Sequence, residues 1–326
     1  MTHYLVTGAA GFIGSHLIEH LETNTDADIT GIVSYRHRGC PLRTKAFNRA
    51  KLIYADLRAP ISDRVAEAIG PVDVIFNLAA ESHVDRSIAD PVPFIENNVA
   101  LELNVLEYAR RVKPSLLIQI STDEVYGPAE DGVRHAEWSP VLPSNPYAAS
   151  KAAQEAIAIS YWRTYGVPVV LTNTMNNYGE RQDPEKFVPM CIARIAKGEE
   201  ITIHGTPEKI GSRFYLHARN HADALLFLAD RPPSQYSDGA SQPDRYNVVG
   251  DREVSNLDLA SEIASLMDRE LRYRLEDFHA TRPGHDRRYA LDGAKLADLG
   301  WQAPVEFHES LERTVRWTLA HPEWMA

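Results

Sequence analysis

The chain has 326 residues, of which 44% are hydrophobic, and its 34 Lys and Arg against 45 Asp and Glu leave a net charge of −11. Such a length holds one large α/β domain or two modest ones, and such a hydrophobic share excludes a disordered chain. The acidic balance argues against binding to nucleic-acid polymers or anionic membranes, and no apolar run approaches membrane length.

The first segment, His3-Tyr4-Leu5-Val6-Thr7, reads as a strand with no basic and apolar leader before it, so a cytoplasmic protein is expected. Further β-rich runs lie at 29–33, 51–54, 72–78, 116–121 and 169–173. Helical patterns alternate with them, most clearly at 12–21, 93–112 and 144–165. This alternation predicts a parallel sheet with helices on both faces. Beyond Asn176 the alternation weakens. A helix at 186–197, a strand at 201–204, a helix at 220–229 and a strand at 246–248 follow. Ser255 reads as a helix N-cap, and a last helix covers 308–319. These elements predict a smaller α+β lobe.

The first strand runs into Thr7-Gly8-Ala9-Ala10-Gly11-Phe12-Ile13-Gly14 and then into a helix. In this GxxGxxG, Gly8 permits a tight turn, Gly11 lets backbone approach a pyrophosphate, and Gly14 permits close helix–strand packing. The helix start offers free N–H groups to phosphate. The position between strand and helix gives the motif its weight. The expected fold is therefore a Rossmann-type doubly wound sheet over 1–175, joined by about 218–235, with the smaller lobe over 176–326. After the third strand, Asp56 can accept from an adenine amino group; alone it would read as a solvated acid. The second strand ends in Ser34, Tyr35, Arg36, His37 and Arg38, where an acidic residue normally holds the NAD ribose. Two readings stand. Ser34 with Arg36 and Arg38 receives a 2′-phosphate, which means NADP, or the loop is solvated and NAD is held by other contacts.

The fifth strand ends in Ser121-Thr122-Asp123-Glu124-Val125-Tyr126-Gly127, and Tyr147-Ala148-Ala149-Ser150-Lys151 follows within a helix. Tyr147 and Lys151 share a helix face, and an ammonium near a phenol favours the phenolate. Such a Tyr can take a proton from a hydroxyl while hydride leaves the same carbon. Adjacent carboxylates can act as acid and base once their environments separate their pKa values. Tyr-x-x-x-Lys and acidic pairs are each common on surfaces. Together with the glycine motif they are specific.

With these motifs the chain resembles the extended short-chain dehydrogenase/reductase family, and Thr122-Asp123-Glu124 is similar to its nucleotide-sugar 4,6-dehydratases. Ala79-Ala80-Glu81-Ser82-His83-Val84-Asp85-Arg86-Ser87-Ile88, Asn176-Asn177-Tyr178-Gly179 with Pro184-Glu185-Lys186, and Arg282-Pro283-Gly284-His285-Asp286-Arg287-Arg288-Tyr289 carry the likeness further. It reaches from Gly8 to the final helix. The resemblance implies oxidation of a hexose at C4, loss of water across C5–C6, and return of hydride to C6. Glu124 is then the base at C5 and Asp123 the acid at C6; Tyr147 takes the C4 hydroxyl proton with Thr122 and Lys151.

The resemblance also implies a tightly bound, recycled NAD contacting Gly8, Gly11, Phe12, Ile13, Gly14, Asp56, Leu57, Ala79, Ala80, Tyr147 and Lys151. The implied substrate is a nucleotide-diphosphate sugar, dTDP-glucose first, and its implied contacts are Ser82, His83, Asn176, Glu185, Lys186, His204, Arg213, Asn247, Arg282 and His285. A homodimer is implied through the two long helices. Where the family usually shows Arg-Asp-Trp-Leu-Tyr-Val-Glu-Asp, this chain reads Arg213-Phe214-Tyr215-Leu216-His217-Ala218-Arg219-Asn220, so the base-recognition region departs from the pattern. A 4,6- or 5,6-dehydratase of another UDP-, GDP- or CDP-sugar, a sugar-nucleotide epimerase and a non-catalytic dinucleotide sensor are the alternatives. The thirteen histidines show no HxH or HExxH spacing and the two cysteines no CxxC, and no metal is expected.

Overall fold

The computed structural model describes residues 1–36, 39–231, 240–277 and 287–325. Its centre is a 7-stranded sheet. Six strands come in chain order: β1 (His3–Thr7), β2 (Asp28–Val33), β3 (Lys51–Tyr54), β4 (Val74–Asn77), β5 (Leu116–Thr122) and β6 (Val169–Thr174). The last is Asp244–Val248, paired to β6. From that edge the order runs β6, β5, β4, β1, β2, β3, and every neighbouring pair is parallel. The sheet thus takes a strand at Asp244–Val248, a stretch that the sequence reading assigned to the smaller lobe. The period-2 pattern of so short a run cannot say which sheet it joins.

Helices cover both faces, which is why β4, β5 and β6 are buried throughout. One layer packs Leu17, Ile18 and Leu21 of the helix Phe12–Asn24 with Leu225 and Leu228 of the helix Ala218–Ala229. The other packs Val105 and Leu106 of the helix Pro91–Val112 with Ala158 of the helix Pro146–Tyr165. The smaller lobe has its own core. There Cys191, Ile192, Ile203, Leu259, Ile263 and Leu311 meet, and burial pushes the Cys191 thiol up to about 12.

The chain adds β2 and β3 on one side of β1 and β4, β5 and β6 on the other. The order therefore reverses between β1 and β4. In such sheets the ligand crevice opens at the carboxyl ends of the strands, at that reversal. Thr7 closes it from below: its Oγ1 accepts from the N–H groups of Leu78 and Ala79, each at 3.0 Å.

The edge strand is locked by charge as well as by backbone. Arg245 donates to Glu155 Oε2 at 2.7 Å, both side chains 2% exposed. Its guanidinium also lies 4.3 Å from the Trp138 ring centre. Removing one partner of a buried ion pair costs about 3–5 kcal/mol, because the other charge stays buried. Arg245→Met should therefore lower unfolding free energy by about that amount in a denaturant titration. A loss near that of an exposed pair, below about 1 kcal/mol, would show that Glu155 finds another counter-charge.

Candidate active site

The cofactor end follows from the three glycines. Gly8 has φ +66°, and a Cβ on it would lie 3.2 Å from Leu78 and Ala79 backbone. A Cβ on Gly14 would collide with the Gly8 carbonyl. Gly11 is the N-cap of the first helix and makes no side-chain cap, so nothing of its own covers the N–H groups there. Phe12 and Ile13 open that helix, half-buried. This cradle fits a pyrophosphate.

The adenosine side departs from expectation. Asp56 accepts from Arg36 Nη1 at 2.9 Å and from Arg58 Nη2 at 2.7 Å, so its carboxylate is held by two guanidinium groups. Arg36 faces a carboxylate of its own chain, and Ser34 lies just beyond β2. Arg38 lies outside the described residues. Leu57 is buried, with its carbonyl accepting from Asn104 Nδ2 at 2.9 Å. The loop of Ala79 and Ala80 is fixed by Asn98, whose Oδ1 accepts from Glu81 N at 2.7 Å.

The residues that the sequence marks as candidate catalytic groups gather at the end of β5. The Thr122 hydroxyl donates to Asp123 Oδ1 at 2.9 Å and accepts from Glu124 N at 3.3 Å. Asp123 is buried, and its Oδ2 has no hydrogen-bond partner among the described residues. Burial first and the neighbouring Glu124 second push the Asp123 carboxyl up to about 7; Thr122 and the Arg213 charge oppose them. Glu124 is half-buried, and its Oε2 accepts from Asn145 Nδ2 at 3.0 Å and from the Tyr289 hydroxyl at 3.4 Å. Asn145 also caps the helix Pro146–Tyr165, its Oδ1 accepting from Ala148 N at 2.9 Å. One side chain thus sets both the start of the Tyr147 helix and the place of Glu124. Tyr147 departs from expectation in this respect: burial, then the charges of Glu124 and Asp123, raise its phenol. Lys151 instead turns inward, donating to Ile120 O at 2.7 Å and Gln154 Oε1 at 2.6 Å.

On the substrate side, the loop after β4 meets the segment before the helix Phe187–Lys197. His83 Nε2 lies 3.1 Å from Glu185 Oε1, and Lys186 Nζ donates to the Ser82 carbonyl at 3.4 Å. Asn176 presents an exposed side chain. Arg213 lies 4.6 Å from the Tyr289 ring centre. Its charge reaches Asp123. His204 sits on the strand Ile201–Thr206, opposite Glu276. Asn247 does not line the cleft: it is 0% exposed, and its Nδ2 donates to the carbonyls of His135 at 2.9 Å and Asp292 at 3.0 Å. It ties loops together. Arg282 and His285 lie outside the described residues. Among the described residues no group of three His, Cys, Asp or Glu could hold a metal ion.

Asn145 and Tyr289 carried no role in the sequence reading. Asn145-Pro146 is a legible N-cap followed by Pro at the first helical position. Tyr289 stands in a recognised motif, but nothing local says that it reaches Glu124.

The model of the NAD dependent epimerase/dehydratase family matches residues 4–248. The chain belongs to that family. A probable dTDP-glucose 4,6-dehydratase from Sinorhizobium fredii is 38% identical over 98% of this chain and 93% of its own. The crystal structure of a Streptomyces venezuelae dTDP-glucose 4,6-dehydratase with NAD bound superposes with a TM-score of 0.85 at 32% identity, covering 99% of this chain and 98% of the other. A Thermus thermophilus UDP-glucose 4-epimerase, in complex with NAD, gives 0.86 at 28% identity, over 98% and 100%. Fold similarity therefore does not separate the epimerases from the dehydratases of this family.

The raised Asp123 carboxyl has a consequence for stability. Its ordinary value is 3.8, and it is pushed up to about 7, so the folded state favours the neutral form. That contribution is full below the ordinary value and is lost as pH rises through about 7. Asp123→Asn should then be more stable than the parent above neutrality, with the difference shrinking toward the ordinary carboxylate range. Thermal unfolding across that pH range reads it. A difference that does not vary with pH would show that Asp123 ionises normally.

Proposed function

We propose that the protein is a nucleotide-sugar 4,6-dehydratase that converts dTDP-glucose to dTDP-4-keto-6-deoxyglucose with NAD as a recycled cofactor. The observation that carries this is the Asp123–Glu124 pair beside Thr122 and Tyr147. One carboxyl is buried with its proton favoured; the other is held by Asn145 and Tyr289 at the cleft. When bound, NAD supplies a hydride acceptor for C4, a positive charge that favours the Tyr147 phenolate, and a hydride donor for C6. Tyr147 takes the C4 hydroxyl proton as that carbon is oxidised. The ketone makes the C5 proton removable, and Glu124 takes it. Asp123 protonates the C6 oxygen, which leaves as water. The proton held by Glu124 then returns to C5. Each carboxyl thus has one proton task, and its environment suits that task.

The paired Arg36 supports NAD over NADP, since a 2′-phosphate there would meet the Asp56 carboxylate as well. An epimerase reading explains Thr122 and Tyr147 but gives no work to the acid–base pair. Two copies are expected to pair through the long helices. Val92, Ile95 and Leu103 of Pro91–Val112 form one exposed apolar stripe that supports this. Two free cysteines, Cys40 and Cys191, accord with the reducing cytoplasm.

Asp123→Asn should still reduce the bound cofactor on adding dTDP-glucose but form product about 10²–10⁴-fold more slowly. Tyr147→Phe should suppress both steps. Near-ultraviolet absorbance of reduced nicotinamide and mass spectrometry for loss of water separate the two. Parent-like product formation by Asp123→Asn would remove the acid role. Release of NADP alone on denaturing the protein would overturn the cofactor assignment.

A further inference from the structure

The ribose corner of the cofactor crevice is built differently from the usual one. In dinucleotide-binding sheets an acid at the end of β2 accepts from the ribose 2′-hydroxyl, and its charge opposes a 2′-phosphate. Here that place is held by Ser34, a neutral residue whose Oγ accepts from Arg36 N at 3.5 Å. The loop that follows is anchored to the glycine cradle. Tyr35, at φ +50°, turns the chain, and Gly39 N donates to the Arg36 carbonyl at 2.9 Å. Cys40 N then donates to the Ala10 carbonyl at 3.0 Å. Arg36 therefore stands on a short loop between the pyrophosphate cradle and the end of β3, beside the ribose position that the end of β2 defines.

An open arginine in that position would favour NADP. A guanidinium fork fits a 2′-phosphate, and Ser34 brings no charge against one. The opposing charge comes from the next strand. Asp56 lies two residues beyond β3, and its Oδ2 accepts from Arg36 Nη1 at 2.9 Å and from Arg58 Nη2 at 2.7 Å. Both of its oxygens also accept from Arg58 Nε, at 3.0 and 3.2 Å. Arg58 thus gives the whole Nε–Nη2 edge of its fork to this carboxylate. The three side chains are 31–46% exposed, so a ligand can reach them. Ion pairs so exposed add little to stability, and removing one leaves the fold standing.

We propose that Asp56 is the residue that makes this site select NAD over NADP: it occupies the forks of Arg36 and Arg58 and supplies the negative charge that the end of β2 lacks. The inference rests on the NAD reading above. A 2′-phosphate entering this corner must part the guanidinium groups from Asp56 and then lie beside the carboxylate. A 2′-hydroxyl does neither, and Ser34 can donate to it. The selecting acid thus stands at the end of β3 instead of β2, and it acts through the arginines that it holds.

The test reads binding and not turnover. NAD-loaded protein is incubated with a large, equal excess of NAD and NADP until the bound fraction is constant, then separated from free nucleotide and denatured. The NAD:NADP ratio released is the ratio of affinities. Release of each bound nucleotide into an excess of the other, followed in time, shows which of the two is held differently. Asp56→Asn keeps an acceptor for Arg58 N and removes the charge. It should lower the ratio about 10–100-fold, the range that a hydrogen bond between charged groups spans, through slower release of NADP. Adding Arg36→Leu should abolish the gain. Adding Ser34→Asp instead, which returns an acid to the end of β2, should restore the parent ratio. If Asp56→Asn does not fold, Asp56→Ser carries the same expectation. An unmoved ratio overturns the inference: equal loss of both nucleotides makes Asp56 an adenine contact or a brace for its loop. A ratio lowered only through faster release of NAD overturns it too, since no phosphate site has been opened. A parent that retains NADP over NAD would overturn the NAD assignment itself. A parent that retains NAD but dehydrates no nucleotide sugar would overturn the dehydratase reading, and the shift in Asp56→Asn would still decide for or against Asp56.

Discussion

Exclusion of water from the end of β5 governs the chemistry of this protein. Asp123 follows a strand buried along its whole length, and its carboxyl inherits that burial. An ionised carboxylate there would lack the solvation it has in water, so the proton is retained into the neutral range. The adjacent Glu124 lies where the chain emerges toward the cleft, as the 3₁₀ turn Asp123–Tyr126 rotates it away from the sheet. Two neighbouring residues of the same chemistry thus acquire different protonation through a single turn of backbone. The Thr122 hydroxyl stabilises that turn by accepting from Glu124 N while donating to Asp123.

Much of this was legible in the sequence because it is local. The glycine spacing, the Tyr147–Lys151 interval and the run from Thr122 to Glu124 each place their residues within one turn or strand end. Gly8, with its positive φ and backbone neighbours, shows why that spacing has physical content. What the sequence could not show depends on partners far along the chain. Asp56 reads as an open acceptor until Arg36, 20 residues away, is seen on it. Asn247 reads as a ligand contact until both acceptors of its amide, the His135 and Asp292 carbonyls, are found more than 40 residues distant. Spacing puts Lys151 and Tyr147 on one face, but Ile120 and Gln154 decide where the ammonium points.

Within the family, the scaffold is common to dehydratases and epimerases, as the nearly equal TM-scores of 0.85 and 0.86 make plain. The sheet supplies a crevice at its reversal point, a cradle that fits a pyrophosphate and the neighbouring Thr122 and Tyr147. The β5 turn and the caps around it add Asp123 and Glu124 beside that pair. Asn145 starts the helix Pro146–Tyr165 and also holds the Glu124 carboxylate.

The late edge strand has a consequence for how the chain is made. β6 ends at Thr174, and the strand that covers its free edge begins at Asp244, about 70 residues later. During synthesis, at roughly 5–20 residues per second, β6 therefore waits several seconds with an unpaired, apolar edge. Glu155 waits with it, since Arg245 arrives on the same late strand. Ribosome-bound fragments ending between these points are the form of this protein most exposed to wrong pairing and to chaperone capture. The strand that finishes the sheet is also what ends that exposure.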